Sequence, residues 1–416
     1  MWGLITVLVD SLIPRLKEIF ELTYFQAGLV QFAFFIAYGL ISIPAGWLLH
    51  RTGYKKGIII GLAIMGLGCL LFIPAASFRV FGIFMAGYFI LASGMTILQV
   101  AANPYVTVLG DEKGASSRLN LSQAFNSLGT TIAPALGAIF ILSDRINSAQ
   151  EIDALDETGR ALYYAAEASA VQKPFLFLAL ALIALALIVF VAKLPRLLNT
   201  HANTNYRTAL RDKKLKFGAV GIFLYVGAEV AIGSYLVNYF LDMRLPSVIQ
   251  NNSTMQWVLS LFHADSSAID NKAIVGTFVT FYWGGAMVGR FIGSYLTRIF
   301  RPHRVLSIFG AFAIVFVLSS MATTGLVSMW SILAVGLFNS IMFPTIFSLA
   351  IEDLGEYKPQ GSGILCTAIA GGAFIPPLYG FFTDMIGFKL AFVVVLICYG
   401  FIFFYGTKIP ELGKKF

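Results

Sequence analysis

The sequence predicts an all-α polytopic membrane protein, with twelve transmembrane helices arranged as two six-helix bundles. Three observations carry that expectation. Hydrophobic residues make up 58% of the 416-residue chain and charged residues only 12%, whereas a soluble domain carries about 25% charge. Mean hydropathy is +0.81, and apolar runs longer than the ~18 residues needed to span a bilayer recur from end to end. The 39 glycines suit helices that approach one another closely in lipid.

The runs place spans near 1–20, 24–49, 57–76, 81–109, 117–142, 173–193, 217–241, 273–297, 305–324, 327–350, 361–383 and 388–407. The first is short. Met1 to Ile13, ahead of Pro14, gives about 20 Å of helix against a hydrocarbon core of about 30 Å. A truncated first helix, with residues missing upstream, is therefore expected. The acid in that run and the lack of a small-residue cleavage site argue against a cleavable signal peptide.

Basic residues set the orientation. Arg51, Lys55 and Lys56 follow span 2, Lys113 and Arg118 follow span 4, and Arg298, Arg301 and Arg304 follow span 8. Lys408, Lys414 and Lys415 close the chain, while Asp144, Glu151, Asp153, Asp156, Glu157 and Glu167 make the segment after span 5 acidic. Positive loops mark the cytoplasmic side, so both termini are expected there. Residues 194–216 form a basic linker that divides the spans six and six. The expected organisation is an N-terminal bundle (1–193), a cytoplasmic linker (194–216), a C-terminal bundle (217–408) and a cytoplasmic tail (409–416). The halves echo each other in order: Asn103-Pro104 with Phe343-Pro344, Pro134-Ala-Leu-Gly137 with Pro377-Leu-Tyr-Gly380, and Gly46-Trp-Leu-Leu-His50-Arg51 with Gly293-Ser-Tyr-Leu-Thr-Arg298. Parallel six-span repeats suit a transporter whose bundles rock about a central site.

Composition excludes several classes. The net charge of +8 comes from short loops between spans and implies no nucleic-acid partner. Cys69, Cys366 and Cys398 lie inside apolar runs as small packing residues. His50, His201, His263 and His303 fall in loops, so no metal cluster and no embedded histidine proton relay are expected. No phosphate-binding Gly-x-x-x-x-Gly-Lys-Ser/Thr loop is present, and no paired acids or activated serine suggest an enzyme. No cofactor is implied.

Polar side chains within apolar runs are costly in hydrocarbon and mark substrate or ion paths. Asp10 is the acid well inside span 1. A carboxyl in low dielectric favours its neutral form, so it is poised to gain and lose a proton. Gln99, with Asn103 one turn later on the same face, offers amides that donate to and accept from sugar hydroxyls. Span 5 carries Asn120, Gln123, Asn126, Ser127 and Thr130, a neutral stripe suited to an uncharged, hydroxyl-rich ligand; Asn120 and Ser127 fit interhelical hydrogen bonding equally well. Glu229 in span 7 is a second embedded acid with no partner named by the sequence. Arg290 is expected to snorkel or to bond within its loop. Gly285, Gly289 and Gly293 form a small-residue packing ridge. Tyr38, Trp283 and Phe343 are candidate aromatic platforms for a sugar ring, with Phe34 one turn from Tyr38. Asn251 and Asn252 sit in glycosylation-like triplets.

The link Gly46-Trp-Leu-Leu-His50-Arg51-Thr-Gly53-Tyr-Lys55-Lys56 resembles the loop signature of the major facilitator superfamily, with His50 where an Asp is usual. Residues 2–10, 98–110, 118–129, 225–229 and 343–350 resemble the fucose–galactose–glucose symporter family, nearest its glucose/galactose transporter branch, which also includes N-acetylglucosamine permeases. The resemblance implies import of a small neutral sugar across a bacterial inner membrane by alternating access, by a protein that commonly works as a monomer. It implies proton coupling through Asp10, and cavity-facing positions for Gln123 and Asn126. In the related fucose permease the position of Gln99 is a Glu linked to protonation. Gln99 cannot titrate and Val9 replaces a common Asn, so sodium coupling or facilitation also fits. Drug efflux is disfavoured by the amides of span 5, and a sugar sensor would bind without flux.

Overall fold

The structure is a computed structural model that describes residues 2–10, 24–78, 80–140, 155–195, 197, 205–262 and 270–412. Among these residues the chain is helical with no strand. Its principal helices run α1 (Trp2–Asp10), α2 (Tyr24–Thr52), α3 (Tyr54–Phe78), α4 (Phe81–Val108), α5 (Ala115–Phe140), α6 (Glu157–Val191), α7 (Lys213–Asp242), α8 (Asn271–Ile299), α9 (Pro302–Ala322), α10 (Gly325–Ile351), α11 (Gly355–Ile386) and α12 (Phe388–Glu411). Nine of them are long and apolar enough to cross a membrane among the described residues. The other three are α1, of which nine residues are described, and α5 and α8, which carry more polar side chains.

Helix ends extend past the apolar runs because polar caps satisfy their free amides. Asp212 accepts from the Leu215 amide at 2.8 Å and starts α7. Asp156 accepts from Gly159 at 2.8 Å, so α6 begins in the acidic segment expected as a loop, and its apolar stretch among the described residues is Gln172–Val191. The same extension corrects two histidines: His50 lies in the last turn of α2 and His303 in the first turn of α9. His201 and His263 lie outside the described residues. Short helices at Leu245–Gln250 and Ser253–Ser260, which hydropathy alone did not predict, follow α7. Asn252 caps the second, accepting from the Met255 amide at 3.1 Å.

The chain forms two compact units that interleave in sequence. The first comprises Met1–Val108, Phe125–Ala209 and Leu354–Thr367; the second comprises Leu109–Ala124, Leu210–Asp353 and Ala368–Phe416. Helices α5 and α11 therefore each contribute to both.

In the first unit α3, α4 and α6 share a core of Leu62, Met65, Cys69, Phe72, Phe84, Tyr88, Leu91, Phe175 and Leu178. Lipid is as apolar as these side chains, so close packing rather than water exclusion holds membrane helices together. Gly61, Gly68 and Gly94 allow a close approach of α3 and α4: an added Cβ would lie 2.7 Å from the Leu98 nitrogen at Gly61, 2.5 Å from the Leu91 nitrogen at Gly68 and 2.5 Å from the Met65 nitrogen at Gly94. The first part of α11 packs on α2, where a Cβ at Gly363 would lie 2.8 Å from the Ser42 carbonyl oxygen. Tyr206, in the linker, donates to the Ile43 carbonyl, and burial pushes its phenol above the usual range.

In the second unit the glycine ridge of α8 packs as expected. Gly285 and Gly289 abut Leu337, and Gly293 abuts Ile341. The first part of α5 is bound to α8 and α10: Ser117 donates to the Ser294 carbonyl at 2.7 Å, and Asn120 Nδ2 donates to Thr345 Oγ1 at 3.1 Å. Asn120 is thus interhelical glue. The three cysteines are buried and unpaired with one another, as packing residues should be.

Replacing Gly94 with valine is expected to overpack the α3–α4 contact and cost roughly 1–3 kcal/mol, read as a lower thermal unfolding midpoint of the purified protein. Gly82→Ala, with open space around its Cβ, is expected to leave that midpoint unchanged or raise it.

Candidate functional site

Among the described residues, each unit holds a buried polar cluster that bears on the site. Both stand beside a proline in the middle of a helix. A proline has no amide hydrogen, so the carbonyl four residues earlier loses its helical partner. In hydrocarbon that oxygen must find another donor.

In the first unit, α4 is buried on every face from Leu91 to Ala101. Pro104 leaves the Val100 carbonyl without a helical donor, and Ser362 Oγ of α11 donates to it at 2.8 Å. Beside it, Gln99 Nε2 donates to the Tyr38 hydroxyl of α2 at 2.7 Å. Tyr38 is 1% exposed and its ring centroid lies 5.3 Å from that of Phe34. Asn103, one turn further along α4, is also buried. These groups are neutral and each side-chain amide both donates and accepts, so they can exchange partners with sugar hydroxyls without moving charge.

Helix α5 places Gln123, Asn126 and Thr130 along one side, with Gln123 buried. Asn126 Oδ1 accepts from the Gly3 amide at 2.8 Å. That amide belongs to the first turn of α1 and has no partner within its helix. Gly3 is close enough that an added Cβ would lie 2.6 Å from Asn126 Oδ1. Asn126 thereby locates α1, whose described residues run to Asp10. The side chain of Asp10 lies outside the described residues.

The second unit holds the charged cluster. Pro344 leaves the Ser340 carbonyl without a helical donor, and α10 is interrupted at Ser340 and Ile341. Arg290 Nε of α8 donates to that carbonyl at 3.1 Å. The same guanidinium lies 3.7 Å from Glu229 Oε1 of α7, with both side chains 14% exposed. Arg290, expected to snorkel or to bond within its loop, is instead drawn toward the freed carbonyl and the Glu229 carboxylate. Glu229 has the partner that spacing alone could not identify. The separation exceeds the ~2.7–2.9 Å of a direct charge-assisted hydrogen bond, so the pair compensates charge across a longer gap.

Tyrosines and an asparagine surround this pair. Asn339 Nδ2 donates to the Tyr282 hydroxyl at 2.7 Å and lies 3.3 Å from the Tyr399 hydroxyl. Tyr282 donates to the Glu229 carbonyl at 3.4 Å. Trp283 is 40% exposed and sits edge-on to Tyr282, with centroids 5.1 Å apart. Phe343 is buried with its ring 5.8 Å from Phe347. Among the described residues no group of three His, Cys, Asp or Glu side chains could hold a metal.

Ser362, Tyr282, Asn339 and Tyr399 were not singled out from sequence. Asn339 carried a usable signal, a lone amide inside an apolar run. Ser362 did not, because its role depends on which helix lies opposite Val100.

Comparison with known proteins bears on this arrangement. A description of the Major Facilitator Superfamily matches residues 3–377. The chain is 48% identical to a glucose/galactose transporter of Brucella abortus, over 100% of this chain and 92% of that protein. It is 41% identical to a putative glucose/galactose transporter of Helicobacter pylori, covering 98% and 94%. The crystal structure of the E. coli fucose:proton symporter superposes with a TM-score of 0.85 at 31% identity, covering 100% and 96%.

Arg290→Ala is expected to strand the Glu229 carboxylate and the Ser340 carbonyl, costing about 3–5 kcal/mol. The thermal midpoint should fall steeply. Adding Glu229→Gln to that variant should recover part of the loss, since the uncompensated charge is then gone.

Proposed function

Because the chain belongs to the Major Facilitator Superfamily, and within it to the fucose–galactose–glucose symporter family, we propose that it imports a neutral hexose of the glucose/galactose type by alternating access, coupled to protons through Asp10. The observation that carries this reading is 48% identity along the whole chain to a glucose/galactose transporter. The neutral Gln99–Tyr38 pair supports it, because amide and hydroxyl groups suit an uncharged polyol and would bind an ion poorly.

In this reading Tyr38, Gln99, Asn103, Gln123 and Asn126 bond the sugar hydroxyls, and Trp283 and Phe343 offer ring faces to its apolar side. Asp10 takes up and releases the coupling proton. Glu229 is the rival carboxylate, and its charge is compensated by Arg290. One proton moving down 100 mV supplies about 2.3 kcal/mol, enough for roughly 50-fold accumulation. The functional halves are the bundles 1–193 and 217–408, joined by the linker 194–216 and followed by the tail 409–416. The protein sits in a bacterial inner membrane with both termini cytoplasmic and works as a monomer.

Uptake of labelled glucose, galactose, fucose and N-acetylglucosamine into proteoliposomes tests the reading, first under a pH gradient and then under a sodium gradient. Proton-driven accumulation of glucose or galactose is expected, and Asp10→Asn should abolish accumulation while sparing exchange. Sodium-driven or gradient-independent flux that survives this change would remove Asp10 from coupling. Absence of flux for all four sugars would overturn the reading.

Gln99→Leu and Tyr38→Phe each remove one neutral hydrogen-bonding group. Each is expected to weaken sugar binding by about 1 kcal/mol, roughly fivefold, measured by equilibrium binding in detergent. Unchanged affinity in both would place the sugar elsewhere.

A further inference from the structure

A cavity of about 610 Å³ opens in the first unit where the α2–α3 turn meets the chain leaving α6. Its size falls within the roughly 300–1,000 Å³ of small-molecule sites. Four of its 14 lining residues are cations, Arg51, Lys55, Lys56 and Lys193, and none is an acid. Gly53, at φ +81°, makes the turn that puts Arg51 and the two lysines of α3 on one rim; its left-handed backbone suits glycine.

The four cations are not equivalent. Lys55 donates to the Phe190 and Ala192 carbonyls at 2.7 and 2.8 Å, closing the C-terminus of α6 and holding the rim together. Arg51 stacks on Trp47 at 3.8 Å. Lys56 and Lys193 are in no ion pair among the described residues, and Lys56 is exposed.

Depth identifies the ligand. The apolar stretch of α2 ends at Thr52 and that of α6 at Val191, so the cavity begins where the hydrocarbon-crossing segments stop. Phe190, Val191 and Trp47 beside it are 66%, 79% and 51% exposed, an apolar surface suited to acyl chains. A cationic hollow bordered by apolar residues at the edge of the hydrocarbon matches an anionic lipid. We propose that this cavity binds the phosphate headgroup of an anionic membrane phospholipid, with Lys56 and Lys193 contacting the phosphate and the exposed ring of Phe190 lying along its chains.

The test measures lipid binding to the purified protein by native mass spectrometry. Dioleoylphosphatidylglycerol, dioleoylphosphatidylcholine and inorganic phosphate are compared on the wild type, on Lys56→Gln/Lys193→Gln, and on Arg211→Gln/Lys216→Gln, which removes the same charge from exposed sites outside the cavity. The thermal midpoint of each lipid-free variant checks that it is folded. Phosphatidylglycerol is expected to bind the wild type in preference to phosphatidylcholine. Binding should weaken roughly 30-fold in the cavity variant and stay unchanged in the control variant. Equal weakening in both variants, or equal binding of the two lipids, would overturn the proposal. Displacement of the lipid by inorganic phosphate would reassign the cavity to a soluble anion.

Discussion

In hydrocarbon a backbone carbonyl that loses its helical donor must be given another from within the protein, and both polar clusters are built around that constraint. Pro104 and Pro344 each free one carbonyl in the middle of a helix. Ser362 answers the first and Arg290 the second. The partner fixes which helix must lie alongside: the first part of α11 beside α4, and α8 beside α10. Two of the side chains proposed for substrate and proton, Gln99 and Glu229, stand next to these repairs. Gln99 precedes Val100 in the chain, and Asn339 precedes Ser340. The prolines thus weaken two helices locally and oblige neighbouring elements to supply polar groups there.

The two clusters divide the chemistry. The first is neutral: a glutamine hydrogen-bonded to a tyrosine, with an asparagine one turn away. As the proposed sugar ligands, such groups would discriminate by geometry and not by charge. The second is ionic, and its carboxylate and guanidinium are both nearly buried. Buried ion pairs contribute little net stability. The Arg290 side chain nevertheless serves two acceptors, so its position is over-determined by the broken helix and the acid together.

The same economy of donors operates at the ends of helices. Asp156, Asp212 and Asn252 cap helices that extend past their apolar runs, and Lys55 closes the last carbonyls of α6 from another helix. Asn126 supplies an acceptor for the first turn of α1, so a residue proposed to meet sugar also positions the helix that carries Asp10. Loss of Asn126 would therefore disturb the placement of α1 as well as remove a proposed sugar contact.

Hydropathy and length determine the all-helical class and nearly every span, because twenty apolar residues have few alternatives in lipid. Gly285, Gly289 and Gly293 were legible as packing, since their spacing places them on one helix face. Gln99, Asn103 and Glu229 were legible as unusual because polar groups in apolar runs are costly. Their partners were not. Arg290 could pair with Glu229, snorkel or bond its own loop by sequence alone, and the choice follows from the Ser340 carbonyl that Pro344 freed. Ser362 is silent in the sequence, one serine among many, until α11 lies against α4. Sequence determines which groups need partners, because that need is local and chemical. Only the tertiary structure decides who the partners are, because hydrogen bonds reach about 3 Å and only the packing brings distant segments that close.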